Sequence, residues 1–534
     1  MNNKQKIIFV GVILVMAVIG VLLYHFTSTN QENNQAKNIE EILEKAKEKS
    51  DIDWSNYQEK TIELTSSYTI TSEGIYHFTG TLENGNIEVN TNGEVKIILD
   101  NVSITNSNGP AIHIISAGNT YIELTGENKI ESLTTEELDG AIYSKDDLFI
   151  LGDGSLSVTS NQDGIVSKDD LTILDGIISI TSNDDGIRGK DSVTIQNGQI
   201  TINAKGDGIK TSNEEEKGDI IITDGTIKIT SELDGIQAES TLTIGGGNIE
   251  ITAGSTTNSS DSRKGLKADD GIYITGGDFK ITSADDSIHS NKDILIKGGI
   301  YTLSSGDDGI HADNNFIIDG GTINITRSYE GIEASNITIN DGTIKIITSD
   351  DGVNISGGKD SSNQNDMFAI TDGILTINGG TLQVNAKGDG LDSNGSIKMT
   401  GGNVYVDGPE DNGNGALDYN GSFEITGGTL IAVGSSGMVQ NVSNNSSQNT
   451  VLINLGSTYT GTIELGSITY EPSKKYSSIL ISSSLLEKNT SYELKIGGTT
   501  LQNITLSNTV TTIGNNGMQG GMMNHQRQQN RRMQ

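Results

Sequence analysis

Residues 163–210 read DGIVSKDDLTILDGIISITSNDDGIRGKDSVTIQNGQITINAKGDGIK. Asp-Gly-Ile recurs there every 22 residues, at Asp163, Asp185 and Asp207. Between the copies a Gly (Gly176, Gly198) opens a stretch with alternating apolar residues, as in Ile178/Ile180 and Ile200/Ile202. Alternation on a β-branched background is the signature of short strands. The landmark continues as Asp234-Gly235-Ile236, Asp286-Ser287-Ile288, Asp308-Gly309-Ile310, Glu330-Gly331-Ile332, Asp351-Gly352-Val353 and Asp389-Gly390-Leu391. Insertions interrupt it around Glu214 to Lys217, Ala253 to Lys264 and Gly357 to Asp372. A unit of this length, made of short strands and Gly turns, predicts one coil of a right-handed parallel β-helix. No coil can bury its own Ile residues, but stacked coils bury them as continuous ladders. Leucine-rich repeats share the length and lack their Leu-x-x-Leu-x-Leu frame here.

Outward from the repeat, the expected organisation is a β-helix over residues 61–437 and a small β cap over 438–513. A disordered Met-, Gln- and Arg-rich tail is expected over 514–534. Residues 31–60 read as a linker, with one helical stretch from Ile39 to Lys49. Lys4 and Lys6 precede an uncharged apolar run, Ile7 to Tyr24, long enough to span a bilayer. Residues 1–30 are therefore expected to anchor or export the chain, with residues 7–26 in the membrane. The positive flank puts the N-terminus inside and the rest outside the cell. No small-x-small cleavage site follows the run, which favours an uncleaved anchor over a secreted, processed chain.

Composition narrows the partners. The formal net charge is −35, from 70 acidic and 35 basic residues, so the surface repels nucleic acid and attracts cations. Calcium is the abundant hard cation outside cells. With no Cys, disulfides and zinc–thiolate sites are excluded.

Stacking turns single residues into files about 4.8 Å apart. The landmark acids become a ladder of Asp163, Asp185, Asp207, Asp234, Asp286, Asp308, Glu330, Asp351 and Asp389, doubled by Asp184, Asp285, Asp307 and Asp350. Two carboxylates at that spacing repel by roughly 3 kcal/mol at an effective dielectric near 20. Protonation or bound cations must relieve this, and calcium fits the oxygen-rich turns. The expected metal ligands are Asp184, Asp185, Asp207, Asp234, Asp285, Asp286, Asp307, Asp308, Asp350 and Asp351. The plain alternative is that each Asp only shapes its turn, bonding the backbone two residues on.

Two residues past each landmark Gly stand Arg188, Lys210, Gln237, Lys267, His289 and His311, then Glu333, Asn354 and Asp392. If Ile faces in, this file faces out as a basic strip beside the acidic ladder. It reads either as counter-charge for the ladder or as a groove in which Arg188, Lys210, Lys267, His289 and His311 bind an acidic polysaccharide. His289 and His311, one repeat apart, read as a surface pair rather than a metal site.

Several motifs in order resemble a known group. They include Leu99-Asp100-Asn101-Val102-Ser103-Ile104, Gly109-Pro110-Ala111-Ile112, Asp411-Asn412-Gly413-Asn414-Gly415-Ala416-Leu417-Asp418-Tyr419 and Tyr476-Ser477-Ser478-Ile479-Leu480-Ile481. From about Thr61 onward the chain resembles extracellular carbohydrate-binding β-helix proteins of clostridia and related bacteria, of the cellulose- and pectin-binding type. The resemblance implies a pectate-lyase-like helix, bound calcium, and binding rather than proven catalysis. The long membrane run and the basic tail depart from that pattern. Non-catalytic binding of acidic or cellulosic glycan is therefore the leading expectation, although aromatics are only 4%. A calcium-dependent polysaccharide lyase, with Lys210 and Arg188 as candidate catalytic residues, is the alternative. A purely structural or adhesive surface stalk is the third.

Overall fold

The structure is a computed structural model that describes residues 38–48, 52–135, 140–213, 217–254, 262–356 and 371–514. The chain divides into two compact units, Met1–Ile52 and Asp53–Gln534. In the first, a helix covers residues 38–46, overlapping the expected stretch from Ile39 to Lys49. The expected anchor at 7–26 and the tail beyond residue 514 lie outside the described residues. Among the described residues no helix is long and apolar enough to cross a membrane.

The second unit is nearly all-β. Short strands pair in parallel with their counterparts one repeat on. Ile177–Ser182 pairs with Gln199–Ala204, then Thr226–Ser231, Asn248–Ala253 and Asp278–Ser283. The two other strands of the repeat do the same: Ile187–Gly189 pairs with Ile209–Thr211, and Ser192–Ile195 with Asp219–Ile222. Register survives each interruption, since Ile209 faces Ile236, Ile236 faces Leu266 and Val353 faces Leu391. Parallel pairing runs from Glu59–Leu64 to Thr429–Gly434.

Alternation decides what is inside. Ile178, Ile200, Ile227 and Ile249 form one fully buried file, continued by Phe279 and Tyr301, whose rings stack at 4.7 Å. Burying each such side chain is worth about 1.5–3 kcal/mol, and the repeat supplies this term again at every layer. Trp54 packs edge-on against Tyr121 at 5.4 Å, with Lys96 Nζ 5.1 Å from its ring centre.

The two Gly files have different causes. Gly198 turns the corner at φ +118°, which favours Gly. Gly186, in the landmark, has no such φ; a Cβ there would lie 2.4 Å from Ile202 Cγ2 and 2.5 Å from the Gly208 carbonyl oxygen. Ser287 and Ala416 enter this file opposite Leu303 and Ala432, while Ala111 and Ala141 enter it opposite the β-branched Ile130 and Val158. Gly186→Ala should therefore cost about 1–3 kcal/mol. Adding Ile202→Leu should restore part of the loss in melting temperature.

At the C-terminal end, Tyr476–Ser483 pairs antiparallel with Thr429–Gly434 and with Thr450–Tyr459. This covers the last open edge of the stack, which would otherwise be a template for association. Ile463–Leu465, Ile468–Tyr470, Ser491–Ile496 and Thr499–Thr505 form a separate antiparallel sheet.

Candidate functional site

The landmark acids do form a file, but it is not an outward one. Asp163, Asp185, Asp207, Asp234, Asp286 and Asp308 are all at most 5% exposed. Each corner leaves one amide pointing along the stack, and the carboxylate of the preceding repeat accepts it. Asp163 Oδ1 takes the Asp185 N–H at 2.9 Å, Asp185 Oδ1 that of Asp207 at 2.8 Å, and Asp207 Oδ1 that of Asp234 at 2.8 Å. In place of the turn bond two residues on, the plain alternative in the sequence, stands a bond to the next repeat. Asp184 and Asp307 are exposed, and Asp285 and Asp350 half-buried.

The second carboxylate oxygen meets the basic file, which folds back instead of facing out. Arg188 reaches Asp163 at 2.6 Å, Lys210 reaches Asp207 at 2.7 Å and Lys267 approaches Asp234 at 3.8 Å. His289 and His311 lie 2.8 and 3.0 Å from Asp286 and Asp308. The expected open strip is therefore a set of half-buried counter-charges. The two His are not a surface pair: they are 6% and 1% exposed and their rings stack at 4.8 Å.

One member of the ladder escaped the sequence reading. Lys264 stands in the landmark position, two residues before Leu266, where its neighbours carry Asp234 and Asp286. Its Nζ lies 2.6 Å from Asp286 and 3.1 Å from Asp285. Burial opposes its charge, but these carboxylates raise its pKa. Burial likewise raises Asp286, and His289 and Lys264 outweigh it, holding that carboxyl well below the usual range.

Further on the ladder changes character. Glu330, Asp351 and Asp389 continue the landmark file, beside Glu333, Asn354, Asp392 and Asp418. No Lys or Arg ion pair reaches these residues among the described residues; His311, 3.5 Å from Glu333, is the last cation of the file. Burial first, and neighbouring carboxylates second, push Asp351 to about 6, Asp392 to about 8 and Glu330 to about 9. Asp389 is raised to about 7, chiefly by burial, with Asp351 and Asp418 adding to it. Asn354, 7% exposed, donates its Nδ2 hydrogen to Glu330 at 2.7 Å, while its Oδ1 has no partner among the described residues. Every donor along this stretch is an oxygen, the kind that calcium takes.

Outside the predicted set, Asp147, Asp169 and Asp170 bring carboxylate oxygens within 4.8 Å at a neighbouring corner. Burial, Asp191 and Asp147 lift Asp169 to about 6. Lys145-Asp146-Asp147 and Lys168-Asp169-Asp170 were the available signal. A shallow groove of about 630 Å³ follows the corner Gly file, lined by Asp153, Asp175, Asn197, Asp224 and Asn248 among others.

Comparison with known proteins follows the same stretch. The family model of carbohydrate-binding domain-containing proteins matches residues 65–309 and 309–526. A carbohydrate-binding domain-containing protein of Acetivibrio thermocellus is 37% identical over 118 residues, 20% of this chain; the chain spans 41% of that relative's length. The solved structure of the polysaccharide lyase-like protein from C. thermocellum, a gadolinium derivative, is 31% identical, with a TM-score of 0.37. That alignment covers 40% of this chain and 96% of the other. The two family matches together take in most of the sequence, and the chain belongs to the carbohydrate-binding domain-containing protein family.

Proposed function

We propose that this chain binds acidic, pectin-like or cellulosic polysaccharide outside the cell, without cleaving it and with the help of calcium. The family match over residues 65–526 carries this reading. A right-handed parallel β-helix is the architecture we infer for the stack, supported by strands that pair in parallel from one repeat to the next. The apolar run at residues 7–26 would hold it at the membrane, with the stack facing outward.

Calcium has two roles in this reading. Asp351, Asn354, Asp389, Asp392 and Asp418 would hold it as a structural ion. The outer carboxylates Asp184, Asp285, Asp307 and Asp350 would share it with uronate groups of the glycan. The lyase alternative is disfavoured by the state of its candidate bases. Lys210 is committed to Asp207, and although burial lowers its pKa, Asp207 and Asp185 outweigh that and raise it. A base must be neutral near the working pH. Arg188 is bound to Asp163 and stays charged.

The test is a calorimetric titration of the full chain in detergent with polygalacturonate, with calcium or with chelator, followed also by ultraviolet absorbance. Heat that needs calcium, with constant absorbance, is the expected result. Rising absorbance from unsaturated product would overturn the non-catalytic reading. Absence of heat, with retention on cellulose, would select the cellulosic partner, and absence of both would leave a stalk.

A further inference from the structure

The His pair carries an inference separate from glycan binding. His289 and His311 lie in register on adjacent repeats, with Glu333 next in the same file. Asp286 and Asp308 flank them in the landmark file. His289 Nδ1 is 2.8 Å from Asp286 Oδ2, and His311 Nδ1 is 3.0 Å from Asp308 Oδ2 and 3.5 Å from Glu333 Oε2. Ligand atoms of Asp286, His289 and His311 lie within 4.8 Å of one another, as do those of Asp308, His311 and Glu333.

The far nitrogens are also held. His289 Nε2 is 2.9 Å from Asn291 Oδ1, and His311 Nε2 is 3.3 Å from Asp313 Oδ1. An amide or carboxylate oxygen only accepts, so each Nε2 carries a hydrogen. Each Nδ1 therefore needs a cation between itself and its carboxylate, either a second proton or a metal. Second protons would put two imidazolium rings face to face at 4.8 Å. One metal shared by both Nδ1 atoms removes that repulsion. A carboxylate or amide behind the far ring nitrogen is the usual support of a metal-bound His.

We propose that His289, His311, Asp286, Asp308 and Glu333 form a buried site for a divalent transition metal of the zinc class. The donor set sets the class: imidazole nitrogens suit zinc and its first-row neighbours, whereas calcium takes oxygen. Metal–ligand bonds of about 2.0–2.2 Å place neighbouring ligand atoms roughly 3 Å apart, close to the three ring-to-carboxylate distances above, and the other ligand atoms of each group lie within 4.8 Å. The ion would tie two repeats together where the ladder passes from compensated to uncompensated. Lys264, bound to the same Asp286 oxygen, would turn toward Asp285.

The experiment uses the full chain, stripped with chelator and titrated with cobalt(II) in excess calcium, reading visible d–d absorption. A band saturating at one ion per chain, lost on adding zinc and unaffected by calcium, is expected. His311→Gln should weaken cobalt binding by at least about 100-fold, and Asn291→Ala, which only removes a support, by about 10–100-fold. His289→Gln, which leaves the His311 ion pairs in place, decides the matter if His311→Gln does not fold. No band, or a band of undiminished affinity in His289→Gln, would show that the pair holds protons only. Polygalacturonate is absent throughout, so the outcome is independent of glycan binding.

Discussion

In chelator, Lys264→Met should lower the stability of the full chain by about 3–5 kcal/mol, the usual cost of stripping one partner from a buried ion pair. The change keeps the volume and apolar stem of the side chain but leaves Asp286, 3% exposed, facing Asp285 with His289 as its remaining side-chain partner. Its main-chain amide should still reach Asp234 Oδ1, 2.6 Å away, so the loss is of charge rather than of stacking. Asp286→Asn in the same chain should recover much of the deficit, because Asn Oδ1 can still accept the Asp308 amide. Denaturant midpoints of the single and double variants measure this coupling. If Lys264→Met melts like the parent, the ladder is not held by internal cations.

The second large effect is on pH. In chelator, stability should rise as pH falls from about 9 toward 4, opposite to ordinary acid denaturation. Asp185 sits at about 6, raised by burial and then by Asp207, and Asp389, Asp392 and Glu330 stand at about 7, 8 and 9. Each folded-state value exceeds its unfolded one, so the folded chain binds more protons through this window. Stability from these groups is complete below about 4 and is lost as pH climbs through their folded values. Asp392 alone, moved from 3.8 to about 8, is worth several kcal/mol on this scale. Melting temperatures at pH 5 should exceed those at pH 8 by several degrees. Calcium should flatten the difference by replacing protons at Asp351, Asp389 and Asp392. A conventional profile, with stability falling below pH 6, would contradict the burial of this file.

The sequence carried the repeat, the buried Ile files and the corner Gly file, because each depends on alternation or on a local φ. Residue spacing alone could not say where the polar files point. Arg188 was placed outward by strict alternation, yet its long stem lets the guanidinium return to Asp163 of the preceding repeat. The sequence offers Asp185 as a metal ligand or a turn former, whereas its Oδ1 accepts an amide 22 residues on. Lys264 was missed because the insertion between Ala253 and Lys264 hides its alignment with Asp234 and Asp286. The reason for Gly186 becomes visible only when Ile202 is placed opposite it.

These contacts divide one ladder into two parts. Repeats from Asp163 to Asp286 carry Arg188, Lys210, Lys264 and Lys267 as their own cations. The His289–His311 pair takes a proton or a metal, and in the proposed reading repeats from Glu330 to Asp418 take calcium from solution. Peptide-resolved hydrogen–deuterium exchange of the full chain, with and without calcium, tests that division most directly. Calcium should protect amides in residues 350–356 and 387–420 and leave those of 163–250 unchanged. Protection spread evenly along the ladder, or confined to the Asp184–Asp207 repeats, would contradict it.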